Sequence, residues 1–151
     1  SARNIRMQVT ASNLKAAEEM DAVENARLLV VDDSITTRTL EKNILEAAGY
    51  EVVTAIDGLQ AIEQLKARPA RLVIADIEMP NMDGISLTRY LRESSEFSDL
   101  PVILVTSLES PADRERGLQV GANAYIVKRG FNQAELLSTI EQFLYYEPAL
   151  R

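Results

Sequence analysis

At 151 residues, with 46% hydrophobic residues and neither cysteine nor histidine, the chain is ordinary globular material for one domain. It carries no disulfide, thiolate or histidine metal site, histidine triad or phosphohistidine of its own. A formal net charge of −7 disfavours a nucleic-acid surface, and neither a membrane-length apolar run nor a signal-peptide pattern is present, so the cytoplasm is the expected compartment. Ser1 in place of methionine suggests a fragment or a processed product.

Residues 1–26 differ in texture from the rest. Ser12 can cap a helix over residues 13–23, but Leu14, Ala17 and Met20 make only a thin apolar stripe. The segment reads as a linker or N-terminal helix, serving as a tether or a docking element.

From Arg27 onward, strand and helix patterns alternate five times. The run Arg27-Leu-Leu-Val-Val31 precedes a helix over 35–48, apolar at Leu40, Ile44 and Ala48 and closed by Gly49. Residues 50–55 form a second strand, and Asp57 caps a helix that turns Leu59, Ile62 and Leu65 inward. Arg71-Leu-Val-Ile-Ala75 leads through a loop to Gly84 and a helix ending near Glu93. The fourth strand, Pro101-Val-Ile-Leu-Val105, is followed by Ser110-Pro111, a cap with proline at the first helical position. That helix contains Gly117, which weakens it, and stops near Gly121. Ala124-Tyr-Ile-Val127 is the fifth strand, and Leu136, Leu137, Ile140, Phe143 and Leu144 stand at core spacing on the last helix. Tyr145, Tyr146 and Pro148 either pack on that helix or form a dimer contact. Strands this uniformly apolar, alternating with helices, predict a five-stranded parallel sheet covered on both faces.

Four of the strands run into polar groups: Asp32-Asp33, Asp76, Thr106-Ser107 and Lys128. In an open parallel sheet the carboxyl ends of the strands line one crevice, where ligands bind. Each residue alone reads as a cap, a loop hydroxyl or a solvated lysine. Collected on one edge, they form a set able to hold a divalent cation and to carry a phosphoryl group on an aspartate.

The same residues carry a family resemblance. Val-Val-Asp-Asp-Ser after the first strand, Asp76-Ile-Glu-Met-Pro80 with Met82-Asp-Gly84, Thr106-Ser107, Gly121-Ala-Asn-Ala-Tyr125 and Val127-Lys128 resemble the CheY-like receiver of two-component signalling. The wording Asp33-Ser-Ile-Thr-Thr-Arg-Thr-Leu-Glu-Lys42 and Thr106-Ser-Leu-Glu-Ser-Pro111 more specifically resembles receivers fused to the C-terminus of CheA-type chemotaxis histidine kinases. The resemblance implies a doubly wound (βα)5 fold with strand order 2-1-3-4-5, and a receiver domain over residues 27–147. It implies Asp76 as phosphoacceptor, with Mg²⁺ bound directly by Asp33 and Asp76, through water by Asp32, and by the backbone carbonyl of Glu78. Lys128 would pair with Asp76 or the phosphoryl oxygens. Thr106 would donate its hydroxyl to the phosphoryl group and, with Tyr125, switch the output face. The phosphate would come from a histidine kinase phosphotransfer domain, in the same parent chain or a separate one. A receiver so fused would act as a phosphate sink or as an inhibitor of transfer; a free-standing one would dock on an effector. The domain would catalyse only its own phosphorylation and dephosphorylation.

One departure stands out. Many receivers have a proline joined by a cis bond after the strand-five lysine, whereas here Arg129 follows Lys128. A cis bond without proline costs roughly 3–4 kcal/mol, so a trans bond or a strained loop is expected, and with it a displaced Lys128. Competing readings fare worse. A docking module has no need of the whole polar set, and a haloacid-dehalogenase-type phosphatase wants Asp-x-Asp where the acids here are adjacent. Two aspartates would repel a flavin phosphate, no Gly-x4-Gly-Lys loop exists for a nucleotide, and nothing after the last helix remains to read DNA.

Overall fold

Five short apolar runs pair in parallel, each buried enough to need its backbone hydrogen bonds met by a neighbouring strand. The computed structural model describes residues 25–146; the helix expected over 13–23 and Pro148 lie outside that range. β1 (Arg27–Val31), β2 (Glu51–Ala55), β3 (Leu72–Ala75), β4 (Val102–Thr106) and β5 (Ala124–Val127) form one sheet in the order β2-β1-β3-β4-β5. The expected order is the one observed. Register places Val31 beside both Ala55 and Ala75, and Ala75 beside Leu104. Because the winding reverses between β1 and β3, the residues that follow Val31 and Ala75 emerge side by side at a topological switch point.

Five helices cover the two faces: α1 (Ile35–Ala47), α2 (Gly58–Ala67), α3 (Gly84–Glu93), α4 (Pro111–Gln119) and α5 (Gln133–Glu141), the last running on into a π-helical turn at Gln142–Tyr146. On one face Ile62 and Leu65 of α2 and Leu87 and Leu91 of α3 pack against Leu29, Val73 and Leu104. On the other, Leu45 of α1 and Leu136 and Ile140 of α5 pack against Leu28, Val30, Ile74 and Ile103. Tyr145 packs along the edge of this second core.

Each helix opens on a side chain that accepts a backbone N–H: Ser34 from Thr37, Asp57 from Gln60, Asp83 from Ser86, Ser110 from Asp113, and Asn132 from Ala134 and Glu135. Such a cap is worth about 1 kcal/mol. Gly49, at φ 100, ends the turn after α1 in the left-handed region that the sequence assigned to it.

Two expectations are corrected. Leu40 and Ala48 do not face the core; α1 turns Glu41, Ile44 and Leu45 inward and leaves Leu40 50% exposed. Burying adjacent Ile44 and Leu45 removes more apolar surface than burying Ala48, and Glu41, one turn before Leu45, follows them. Leu59 is likewise exposed, because Ala61, Ile62 and Leu65 make the inner face of α2.

Candidate metal and phosphoryl site

Asp32 and Asp33 leave β1 where Asp76 leaves β3, and one carboxylate oxygen from each lies within 4.8 Å of the other two. Asp32 and Asp76 are buried and Asp33 is exposed, so the trio opens to solvent on one side. Like charges so close repel one another, and a hard divalent cation that prefers oxygen ligands suits them. The donor set therefore fits Mg²⁺.

Lys128 supplies the compensating charge. Its Nζ donates to Asp32 Oδ2 and to Asp76 Oδ2, at 2.9 Å each. Burial pulls the ammonium down, but hydrogen bonds to Asp76 and Asp32 outweigh it, and its pKa lies above the ordinary lysine value. The reading of Lys128 as a solvated surface lysine is thereby excluded. No cis peptide bond occurs among the described residues, so the Lys128-Arg129 bond is trans. The expected displacement of Lys128 does not follow from it. The backbone N–H of Lys128 bonds Thr106 O at 2.7 Å, and Gly130 takes up the turn at φ 72.

Asp32 and Asp76 are each held at both carboxylate oxygens. Asp32 accepts from Ser34 N–H through Oδ1 at 2.8 Å, and its backbone carbonyl accepts from Arg38 at 2.8 Å. Asp33, in contrast, is exposed to solvent. Asp76 Oδ1 accepts from Ile77 N–H at 2.7 Å. A Cβ on Gly84 would run into the backbone carbonyl of Asp76, so α3 starts directly against the backbone of that residue.

Thr106 is fully buried at the end of β4, and no hydrogen bond joins it to the acids among the described residues; its Oγ1 accepts from Leu108 N–H at 3.3 Å. Tyr125 is buried too, and its hydroxyl donates to the Leu108 carbonyl at 2.8 Å. Desolvation raises its pKa, which keeps the phenol a donor. Thr106 and Tyr125 thus grip the same residue from opposite sides. The Tyr125 ring fits under α4 because Gly117 has no side chain: a Cβ there would stand 3.0 Å from both the ring and Leu104. Gly117 makes room for the ring as well as lowering helix propensity. Glu78 lies on the loop between Asp76 and Gly84, and its side chain reaches Ser107 Oγ at 3.5 Å.

Three groups around the site went unread in the sequence. Arg38 reaches the Asp32 carbonyl from α1, a contact that its place in the sequence does not signal. Asp57 was taken for a cap alone, although its second oxygen bonds Asn81. Glu41 was hidden in a helix whose inner face was assigned to other residues. It is 3% exposed, and burial together with Asp32 raises its pKa to about 8, against the opposing pull of Lys128. Its signal was the adjacent apolar pair Ile44-Leu45, which fixes the inner face one turn later.

Known proteins share this fold. The response regulator receiver domain family matches residues 28–141. The chain belongs to the response regulator receiver family. A gliding motility regulatory protein of Myxococcus xanthus is 37% identical over 121 residues, which are 80% of this chain and 16% of that protein. This receiver therefore spans a small part of that relative's length. The chemotaxis response regulator CheY4 of Vibrio cholerae superposes with a TM-score of 0.73 at 35% identity, covering 79% of this chain and 98% of that one. The receiver domain of a Pseudomonas aeruginosa sensor histidine kinase, solved with a magnesium ion coordinated in its active-site cleft, gives a TM-score of 0.73 at 30% identity, over 80% of this chain and 98% of that one. Receiver domains pair with histidine kinases in two-component signalling and bind Mg²⁺ at an acidic site, and this receiver carries a cluster of three aspartates. No helix among the described residues is long and apolar enough to cross a membrane.

Proposed function

We propose that this receiver accepts a phosphoryl group on Asp76 from a phosphohistidine, in the presence of Mg²⁺, and loses it slowly to water. The observation that carries the reading is the trio Asp32, Asp33 and Asp76 within 4.8 Å, bridged by Lys128 through Asp32 and Asp76. A docking module needs no such convergence.

An Asp76 carboxylate oxygen attacks phosphorus as the P–N bond of the donor breaks, its electron pair leaving with the imidazole. The transition state is loose, so the protein's task is to position the carboxylate and neutralise charge. Asp33, Asp76 and the Glu78 carbonyl would hold Mg²⁺, with Asp32 reaching it through water; bound there, the ion offsets the charge of an incoming phosphoryl dianion. Lys128 exchanges one carboxylate partner for a phosphoryl oxygen. Thr106 turns its hydroxyl from Leu108 N–H to the phosphoryl group. Since Leu108 also holds the Tyr125 hydroxyl, that turn reaches β5 and α4 through one shared residue.

The donor is a histidine kinase phosphotransfer domain, since the chain has no histidine. The likeness to the long Myxococcus regulator and to a kinase-borne receiver supports a kinase-fused, chemotaxis-type parent, with residues 1–26 as the tether. Incubation with MgCl₂ and acetyl phosphate yields an acid-labile, hydroxylamine-sensitive adduct that Asp76→Asn abolishes. Absence of an adduct with acetyl phosphate, phosphoramidate and a phosphorylated phosphotransfer domain alike would return the chain to a docking role.

A further inference from the structure

The loop that carries Glu78 is held at its far end by an element that contributes nothing to the acid trio. Asn81 sits at its apex with φ 66, a left-handed backbone that asparagine tolerates. Its Nδ2 donates to Asp57 Oδ2 at 2.7 Å, while Asp57 Oδ1 accepts Gln60 N–H at 2.8 Å as the cap of α2. One residue on, Met82 O accepts from Gly58 N–H at 3.0 Å, and a Cβ on Gly58 would lie 2.6 Å from the Met82 side chain. The loop apex is thus seated on the N-terminus of α2 by two adjacent bonds and a close apolar contact. Pro80 stiffens the stretch between Glu78 and Asn81.

We propose that Asp57 and Asn81 are positioning residues of the phosphorylation site, their hydrogen bond setting the β3–α3 loop so that its backbone can serve the cation held by Asp33 and Asp76. The inference rests on the metal reading above and adds to it two residues that bear no expected ligand. Asp57 is 5% exposed and keeps its carboxylate ionised to more acidic pH than usual, chiefly through Gln60 N–H and then Asn81. A helix cap alone uses one oxygen. The second is committed to the loop.

The test separates cap from strap. Asp57→Ser keeps a capping hydroxyl but cannot reach Asn81; Asn81→Gly suits the positive φ and removes the amide. MgCl₂ titrated into the full chain by calorimetry, without phosphodonor, reads the metal directly. Each variant is expected to weaken Mg²⁺ binding at least threefold. The double variant is expected to weaken it no more than the stronger single, the signature of a lost pair. Ser110→Ala, which removes a comparable cap whose side chain bonds Asp113 of α4, leaves binding unchanged. Asn81→Gly also loosens the loop by itself, so the loss in Asp57→Ser, with the loop sequence intact, is the deciding one. If that variant does not fold, a loss in Asn81→Gly that is reproduced by Asn81→Ser, too short to reach Asp57, decides instead. Unchanged affinity in Asp57→Ser, or losses that add in the double variant, overturns the strap while leaving the metal site standing. No Mg²⁺ uptake by the unsubstituted chain overturns both.

Discussion

Glu41 shows how a single side chain can be set by its neighbours in the helix. An isolated carboxyl resists burial, yet Ile44 and Leu45 bury the same face of α1 and carry Glu41 in with them. There it lies in the field of Asp32 and Asp76, partly relieved by Lys128, and its pKa rises from 4.5 to about 8. The folded protein therefore holds a proton that the unfolded chain releases. The associated stability is complete below pH 4.5 and is lost as pH rises through about 8. Replacing Glu41 with methionine, of similar volume, should flatten the fall of stability over that window. Urea unfolding without Mg²⁺ should find the variant more stable at the alkaline end by on the order of 1–3 kcal/mol. An equally steep pH dependence in Glu41→Met would show that Glu41 is not the group responsible. Lys128 makes a complementary point, since its reach to Asp32 and Asp76 survives the replacement of the usual proline by Arg129. The backbone bond to Thr106 and the turn at Gly130 place it.

Among the elements, the junction of β3 with α3 is the most constrained. Asp76 follows one and Gly84 begins the other, with Gly84 N–H bonded to Ile77 O at 2.8 Å. No side chain fits at Gly84 without moving the backbone of Asp76. Gly84→Ala should lower stability by about 1–3 kcal/mol and cut adduct formation more than its stability loss explains. Comparing adduct yield with the folded fraction at one temperature checks this; adduct formation that simply tracks the folded fraction would deny the junction any special part. At the other side of the site, Gly117 lets α4 close over Tyr125, whose ring also lies 5.7 Å from the Arg114 guanidinium. The same glycine that weakens α4 thus brings it near the β5 aromatic, which is where a shift at Thr106 would arrive through Leu108.

For the molecule as a whole, the proposed cation site links stability to Mg²⁺. A ligand bound only by the folded state stabilises it by RT ln(1 + [L]/Kd), about 2.7 kcal/mol at a hundredfold excess over Kd. For a domain of this size that corresponds to an upward shift in Tm on the order of 10 °C. Asp33→Asn should raise Tm in the absence of Mg²⁺, by relieving repulsion, and shrink the shift in its presence. Scanning calorimetry of both proteins with and without MgCl₂ reads the two effects together, and a Tm indifferent to Mg²⁺ would contradict the assignment of the trio as a cation site.

Apolar runs and helix periods were enough to establish the class of fold, because burial of uniformly apolar strands leaves a parallel sheet with helices on both faces as the natural solution. The polar residues at the strand ends were readable for the same reason: whatever follows a parallel strand emerges on the carboxyl edge. Rotation of a helix about its own axis was not, since Leu40 and Glu41 differ by one position and the sheet beneath chooses between them. Nor was the second hydrogen bond of Asp57, whose partner Asn81 is distant in sequence and meets it only when α2 and the β3–α3 loop have docked. The partners of Lys128 follow the same logic, its placement resting on the β4–β5 register and not on the residue that follows it. Periodicity records how each segment buries itself, whereas these contacts are settled where two independently buried segments meet.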